Sequence, residues 1–186
     1  MNSYLITIIP PENVANTVNK YRNKYSKDAS DKIPPHITIY PPFHLQQISE
    51  EKMLNLLNKT FCETPSFNLN FDSVDYFEGN NNVAYFAPDK KSSDYLKETF
   101  SKTITSLSGN VEDVPADYTL SADSFTPHMT IVSKIPVEEF DKIKNELVDI
   151  KENLSFVCKF IYLYKQDEKS EIWNSVGKIE LKTPDF

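Results

Sequence analysis

One five-residue pattern occurs twice in this chain, as Pro35-His36-Ile37-Thr38-Ile39 and Pro127-His128-Met129-Thr130-Ile131, 92 residues apart in a sequence of 186. For a chain of this composition, the chance that a second histidine copies the Pro before it, the Thr two later and the Ile three later is about one in a thousand. The separation is half the chain length, so it predicts an internal duplication in which each half supplies one copy. Both copies read as short strands, and side chains alternate across a strand. His36 and Thr38 therefore share one face and Ile37 and Ile39 the other, while His128 and Thr130 stand in the same way against Met129 and Ile131.

Periodicity along the rest of the chain predicts a strand at 4–9 and a helix at 12–25 with an apolar stripe of Val14, Val18 and Tyr21. A strand at 36–40 is kept short by Pro41-Pro42, because proline cannot donate to a ladder. Ser49 reads as the N-cap of a helix running to Phe61. Residues 67–77 and 83–87 read as a hairpin across the turn 78–82, followed by a helix from Ser93 to Leu107. The second half gives a strand at 128–133 and a helix at 137–150 with Val137, Phe140, Ile143, Leu147 and Ile150 on one face. Strands at 154–164 and 171–182 close the chain around the polar turn 165–170. The alternation predicts an α+β fold with antiparallel pairing. No linker divides the halves, so one domain over 1–186 is expected, made of two pseudo-symmetric lobes that each contribute one His-x-Thr motif. A pseudo-two-fold axis between the lobes would bring the polar pairs face to face across a central cleft lined by antiparallel sheets, with helices outside.

A net charge of −7 and a pI near 5.0 argue against a grip on long nucleic acid, which needs many phosphates neutralised. A mononucleotide or short oligonucleotide is allowed. Glu112, Asp113, Asp117 and Asp123 cluster in what reads as a solvated loop. Cys62 and Cys158 read as reduced, partly buried small hydrophobes with no disulfide between them. The apolar run at Tyr4–Ile9 stops at Pro10-Pro11, too short for a signal peptide, and no run approaches a membrane span of about 20 residues. A cytoplasmic location is expected, without a membrane partner, so the Asn-x-Ser/Thr triplets at Asn58 and Asn153 carry little weight. Gly79, Gly109 and Gly177 form no phosphate-cradling loop. Neither motif offers a second ligand at metal spacing, and threonine is not a usual zinc ligand, so no metal or other cofactor is expected.

Two imidazoles and two hydroxyls facing one small group suit a phosphate. Each threonine can donate its hydroxyl to a phosphoryl oxygen with its χ1 held stiff by the β-branch, and each histidine can act as acid or base near pH 7. His44 lies outside the repeat and reads as structural. The segments PPHITIYPPF and TPHMTIV, with the opening YLITIIP, the middle NNVAYFAP and the closing FIYLYKQDEKSEIWNSVGKIEL, resemble the 2H phosphoesterase superfamily in its 2′-5′ RNA ligase-like and cyclic-phosphodiesterase branch.

That resemblance implies a bilobal fold with a central cleft, no metal, and hydrolysis of 2′,3′-cyclic phosphates or related nucleotide phosphodiesters. It makes His36 and His128 the catalytic pair and Thr38 and Thr130 the phosphate-binding residues. One imidazole would take a proton from water attacking the cyclic phosphorus, and the other, protonated, would give one to the leaving ribose oxygen. The roles reverse for ring closure or ligation. The acidic loop before His128 is expected to raise its pKa and make it the acid. Tyr40, on the face of His36 and Thr38, is a candidate to stack on a base, and Lys165 a candidate phosphate contact; Tyr85, Tyr164 and Trp173 are further candidates. The chain departs from the family pattern at one place. Members active on RNA ends often carry Arg five residues after the second His, where this sequence has Ser133 with Lys134 beside it. The implied partner is a nucleotide or short oligonucleotide with a (cyclic) phosphate, and no obligate protein partner is inferred. A non-catalytic nucleotide or RNA-end binding protein and a reversible 2′-5′ RNA ligase are the alternatives, although a binder has less need of two imidazoles.

Overall fold

The opening apolar run forms β1 (Ser3–Ile8), and the prolines after it start helix α1 (Glu12–Tyr25), which buries Val14 and Val18. In the computed structural model, residues 1–25, 32–79, 81–113, 120–121 and 123–183 are described. The first motif lies at the head of β2 (Ile37–Leu45). Ser49 caps α2 (Glu50–Phe61), its hydroxyl accepting the Lys52 amide at 3.3 Å. Strands β3 (Phe67–Phe77) and β4 (Asn82–Pro88) form the expected hairpin. Helix α3 (Lys90–Leu107) follows, then the three-residue β5 (Val111–Asp113), and β6 (Met129–Ile135) carries the second motif. Helix α4 (Val137–Leu147) and strands β7 (Leu154–Cys158), β8 (Phe160–Gln166) and β9 (Trp173–Glu180) complete the chain.

The strands make one antiparallel sheet in the order β7-β3-β4-β6-β2-β1-β8-β9, with β5 added to β2. Its two halves correspond. Each runs outward from a motif strand, β6-β4-β3-β7 on one side and β2-β1-β8-β9 on the other. The helix leaving β1 packs on β6 and the helix leaving β4 packs on β2, so each half is covered partly by the other's helix. Only Lys159 separates β7, at one end of the order, from β8, near the other. That step forces the sheet to curl until its ends meet. The Leu181 amide donates to Lys159 O at 2.9 Å, and Ser66 and Lys182 amides close the rest of the contact at 2.8 Å each. Between sheet and helices lies a core in which Phe43, Phe61, Phe71, Phe86 and Phe100 are almost completely buried, each contributing about 1.5–3 kcal/mol by removal from water.

Several elements depart from the sequence expectation, each for a local reason. The strand at 36–40 continues through Pro41-Pro42 to Leu45 because those prolines fall in an irregular stretch: Ile6 pairs with Tyr40 and Tyr4 with Phe43, so the two prolines stand against Leu5 alone, outside the regular ladder. Helix α3 begins before Ser93 because Asp89 caps it, its carboxylate accepting the Ser92 amide at 2.7 Å. Part of the acidic stretch is not loop. Glu112 and Asp113 lie in β5, paired with His44 and Phe43, and Asp117 lies outside the described residues. Helix α4 stops at Leu147, short of Ile150. The single strand expected at 154–164 is two, since β7 pairs with β3 and β8 with β1 and β9. Cys158 is buried, but Cys62 is exposed at the end of α2, and neither is in a disulfide. Among the described residues, no helix is long and apolar enough to cross a membrane.

Candidate active site

The two halves of the sheet meet through one pairing, Ile37 with Met129. These residues hold the same place in the two motifs. A directly opposed pair in an antiparallel ladder is related by a local two-fold axis, and that local axis passes between Ile37 and Met129. Continued one residue each way, the register sets His36 opposite Thr130 and Thr38 opposite His128. Burial follows the same alternation in both copies: Pro35, Ile37 and Ile39 are buried with His36 and Thr38 half-buried, and Pro127, Met129 and Ile131 are buried with His128 and Thr130 half-buried.

The imidazoles are held alike. His36 Nδ1 lies 2.9 Å from Pro34 O, and His128 Nδ1 lies 2.8 Å from Thr126 O. A carbonyl only accepts, so Nδ1 carries the proton in each ring and Nε2 remains for chemistry. His128 also stands edge-on to Phe77, ring centres 5.0 Å apart at 89°, and 5.2 Å from Tyr85. Burial pushes the His36 pKa down to about 4, overcoming the hydrogen bond to Pro34, and the charges of Arg22 and His128 push the same way. Burial also lowers His128, against its bond to Thr126. This corrects the expectation that the acidic loop raises His128: no carboxylate outweighs desolvation there.

Two clefts open at the seam, with His128 in the wall of both. The smaller, about 370 Å³, contains Thr38 and has an apolar wall of Pro41, Pro42, Phe77, Phe100 and Phe125. The larger, about 770 Å³, contains His36 and Thr130 with Arg22, Lys32 and Lys134. Among the described residues, no three side chains of His, Cys, Asp or Glu gather where they could hold a metal ion.

The structure thus brings His36, Thr38, His128 and Thr130 together. It does not bring Tyr40 to them. The irregular pairing of β2 turns Tyr40 off the cleft face into the core at 4% exposure, where its hydroxyl donates to Asp113 at 2.7 Å and its ring packs edge-on against Phe43. Lys165 also misses the cleft. It pairs with Tyr4 on the opposite face of β8 from Gln166 and sits 3.6 Å from Glu50 and 3.7 Å from Asp167. Tyr85 is 3% exposed and packs on His128 and Phe77, Tyr164 is buried, and Trp173 does line the larger cleft. His44 binds Asn2 O at 2.9 Å, outside both clefts. Sequence reasoning missed Arg22, which sits one turn from Val18 on a helix face read as apolar, and Phe77, which reaches His128 through the β3-β4-β6 strand order with Tyr85 between them.

The fold and the site together present a curved antiparallel sheet, external helices and a His-x-Thr pair on each side of one seam. Residues 10–170 match the family described as the 2′-5′ RNA ligase superfamily, and the chain belongs to that family. A protein of Staphylococcus aureus strain Mu3 named "Putative phosphoesterase" is 26% identical over 180 residues, covering 95% of this chain and 97% of the relative. The fold is shared with Escherichia coli LigT complexed with 3′-AMP, at a TM-score of 0.65 and 15% identity over 98% of this chain and 99% of that one. It is shared also with TT0787 of Thermus thermophilus, at a TM-score of 0.61 and 16% identity over 98% of this chain and 100% of that one.

Proposed function

We propose that this protein is a metal-independent phosphodiesterase that hydrolyses 2′,3′-cyclic phosphates or related nucleotide phosphodiesters by two-histidine acid–base catalysis. The observation that carries the reading is the matched fixing of both imidazoles through Nδ1, which leaves two Nε2 atoms, one from each lobe, at one seam. His36 is the base and His128 the acid. A single proton shared by the pair rests on His128, because His36 is pushed down by its burial and by the added charge of Arg22, which does not act on His128. Neutral His36 takes a proton from water as its oxygen attacks phosphorus. Protonated His128 gives its proton to the leaving ribose oxygen as the P–O bond breaks, so the ring opens with charge balanced. Thr38 and Thr130 donate their hydroxyls to the non-bridging oxygens, whose negative charge grows in the transition state. The family membership supports phosphoester chemistry, and the LigT structures with 3′-AMP and with ATP support a nucleotide as the kind of molecule the fold admits.

The test is turnover of a 2′,3′-cyclic nucleotide by single variants. His36→Ala and His128→Ala should each lower kcat by about 10²- to 10⁴-fold with an unchanged circular dichroism spectrum. Wild-type turnover in either variant would remove that histidine from the mechanism.

A further inference from the structure

On a protein of net charge −7, the larger cleft nonetheless gathers Arg22, Lys32 and Lys134. The one carboxylate in its described lining, Glu171, is held by Lys32 at 2.6 Å. Lys134 feels Glu171 only at longer range, and no ion pair forms between them. Its backbone is also unusual. Asn82 pairs with Ile135 and Ala84 with Val132, so Ser133 and Lys134 together oppose Val83, and Lys134 sits at φ +56°. That is the left-handed region, costly for a lysine and kept only where the surroundings impose it. A bulge of this kind re-aims a side chain. Here it places an exposed ammonium on the cleft wall next to the second motif.

We propose that Lys134, with Arg22 of the same wall, forms a second anion subsite, which selects nucleotides bearing a further phosphate besides the one held between the His-x-Thr pairs. The inference rests on the nucleotide reading above and adds a specificity determinant to it. A lysine suits the task, being a mobile point charge that can follow a phosphate without demanding one geometry. The apolar cleft beyond Thr38 and His128 and the cationic cleft beyond His36 and Thr130 then hold different ends of one ligand.

Binding of adenosine 3′-monophosphate and adenosine 3′,5′-bisphosphate, followed by calorimetry and by emission of Trp173, the single tryptophan and itself in this cleft, tests the subsite. Wild type should hold the bisphosphate about 5- to 10-fold more tightly. Lys134→Asn, which removes the charge and tolerates a left-handed backbone, should bind both alike with unchanged affinity for the monophosphate, and Lys134→Arg should keep the preference. Equal affinities in wild type, or a preference that survives Lys134→Asn, would overturn the subsite alone. Binding of neither nucleotide would overturn the nucleotide reading and the subsite with it.

Discussion

A histidine that moves protons must present one nitrogen and be able to exist in either charge state. Backbone carbonyls two residues upstream meet the first need for His36 and His128, and burial sets the second by lowering both pKa values from the ordinary 6.5. The consequence for pH has a definite sign. On the proposed mechanism the productive free enzyme would have His36 neutral and His128 protonated, so kcat/KM should fall on the acid side as His36 takes a proton near pH 4 and on the alkaline side as His128 loses its own below 6.5. A bell-shaped kcat/KM profile with its alkaline limb below pH 6.5 is expected. An alkaline limb above 6.5 would contradict the assignment. A bound phosphate anion favours the charged imidazoles, so the kcat profile should lie to the alkaline side of the kcat/KM profile. Thr38→Val and Thr130→Val remove a hydroxyl at nearly constant shape, and each should lower kcat/KM by about 10- to 100-fold, as loss of a hydrogen bond to a charged group does. Unchanged kinetics in both would take the threonines out of the site. These four residues were legible in the sequence because alternation on a strand needs no tertiary knowledge. Tyr40 was not, because extra residues in β2 break that alternation just after Thr38.

At the scale of elements, one cap and the hairpins were readable and pairing partners were not. Ser49 announced α2 through its own side chain, whereas the expected start of α3 at Ser93 passed over the cap that Asp89 forms on the Ser92 amide. Asp89→Ala should cost about 1 kcal/mol through the lost cap, lowering Tm by about 2–4 °C for a chain of this length. A calorimetric scan checks this, and a Tm equal to wild type would show that the cap contributes nothing. The step at Lys159 and the three-residue β5 could not be read locally. Residues on both sides of Lys159 have strand character, and only the curl of the sheet gives them different partners. In β5, Glu112 and Asp113 look like loop until Phe43 and His44 pair with them and Tyr40 hydrogen-bonds Asp113. Gly177 marks another long-range demand, since a Cβ there would overlap the Leu54 side chain where β9 passes α2.

For the molecule as a whole, the repeated motif is the organising feature. It was visible in the sequence, and each copy begins one of two half-sheets that meet at Ile37 and Met129 and close through Lys159 and Lys182. What could not be read from sequence was the division of the seam into an apolar and a cationic cleft, because Arg22, Phe77, Lys134 and Trp173 come from elements far apart in the chain. The proposed two-histidine mechanism depends on this meeting of the half-sheets, since each brings one of the two motif histidines to the seam. Its most direct test is hydrolysis of a panel of 2′,3′-cyclic nucleotides in EDTA, by wild type beside the doubly substituted His36→Ala, His128→Ala protein. The account predicts turnover by wild type alone, with one ribose monophosphate formed for each ring opened. Turnover by the double variant, or turnover by wild type that EDTA abolishes, would contradict it.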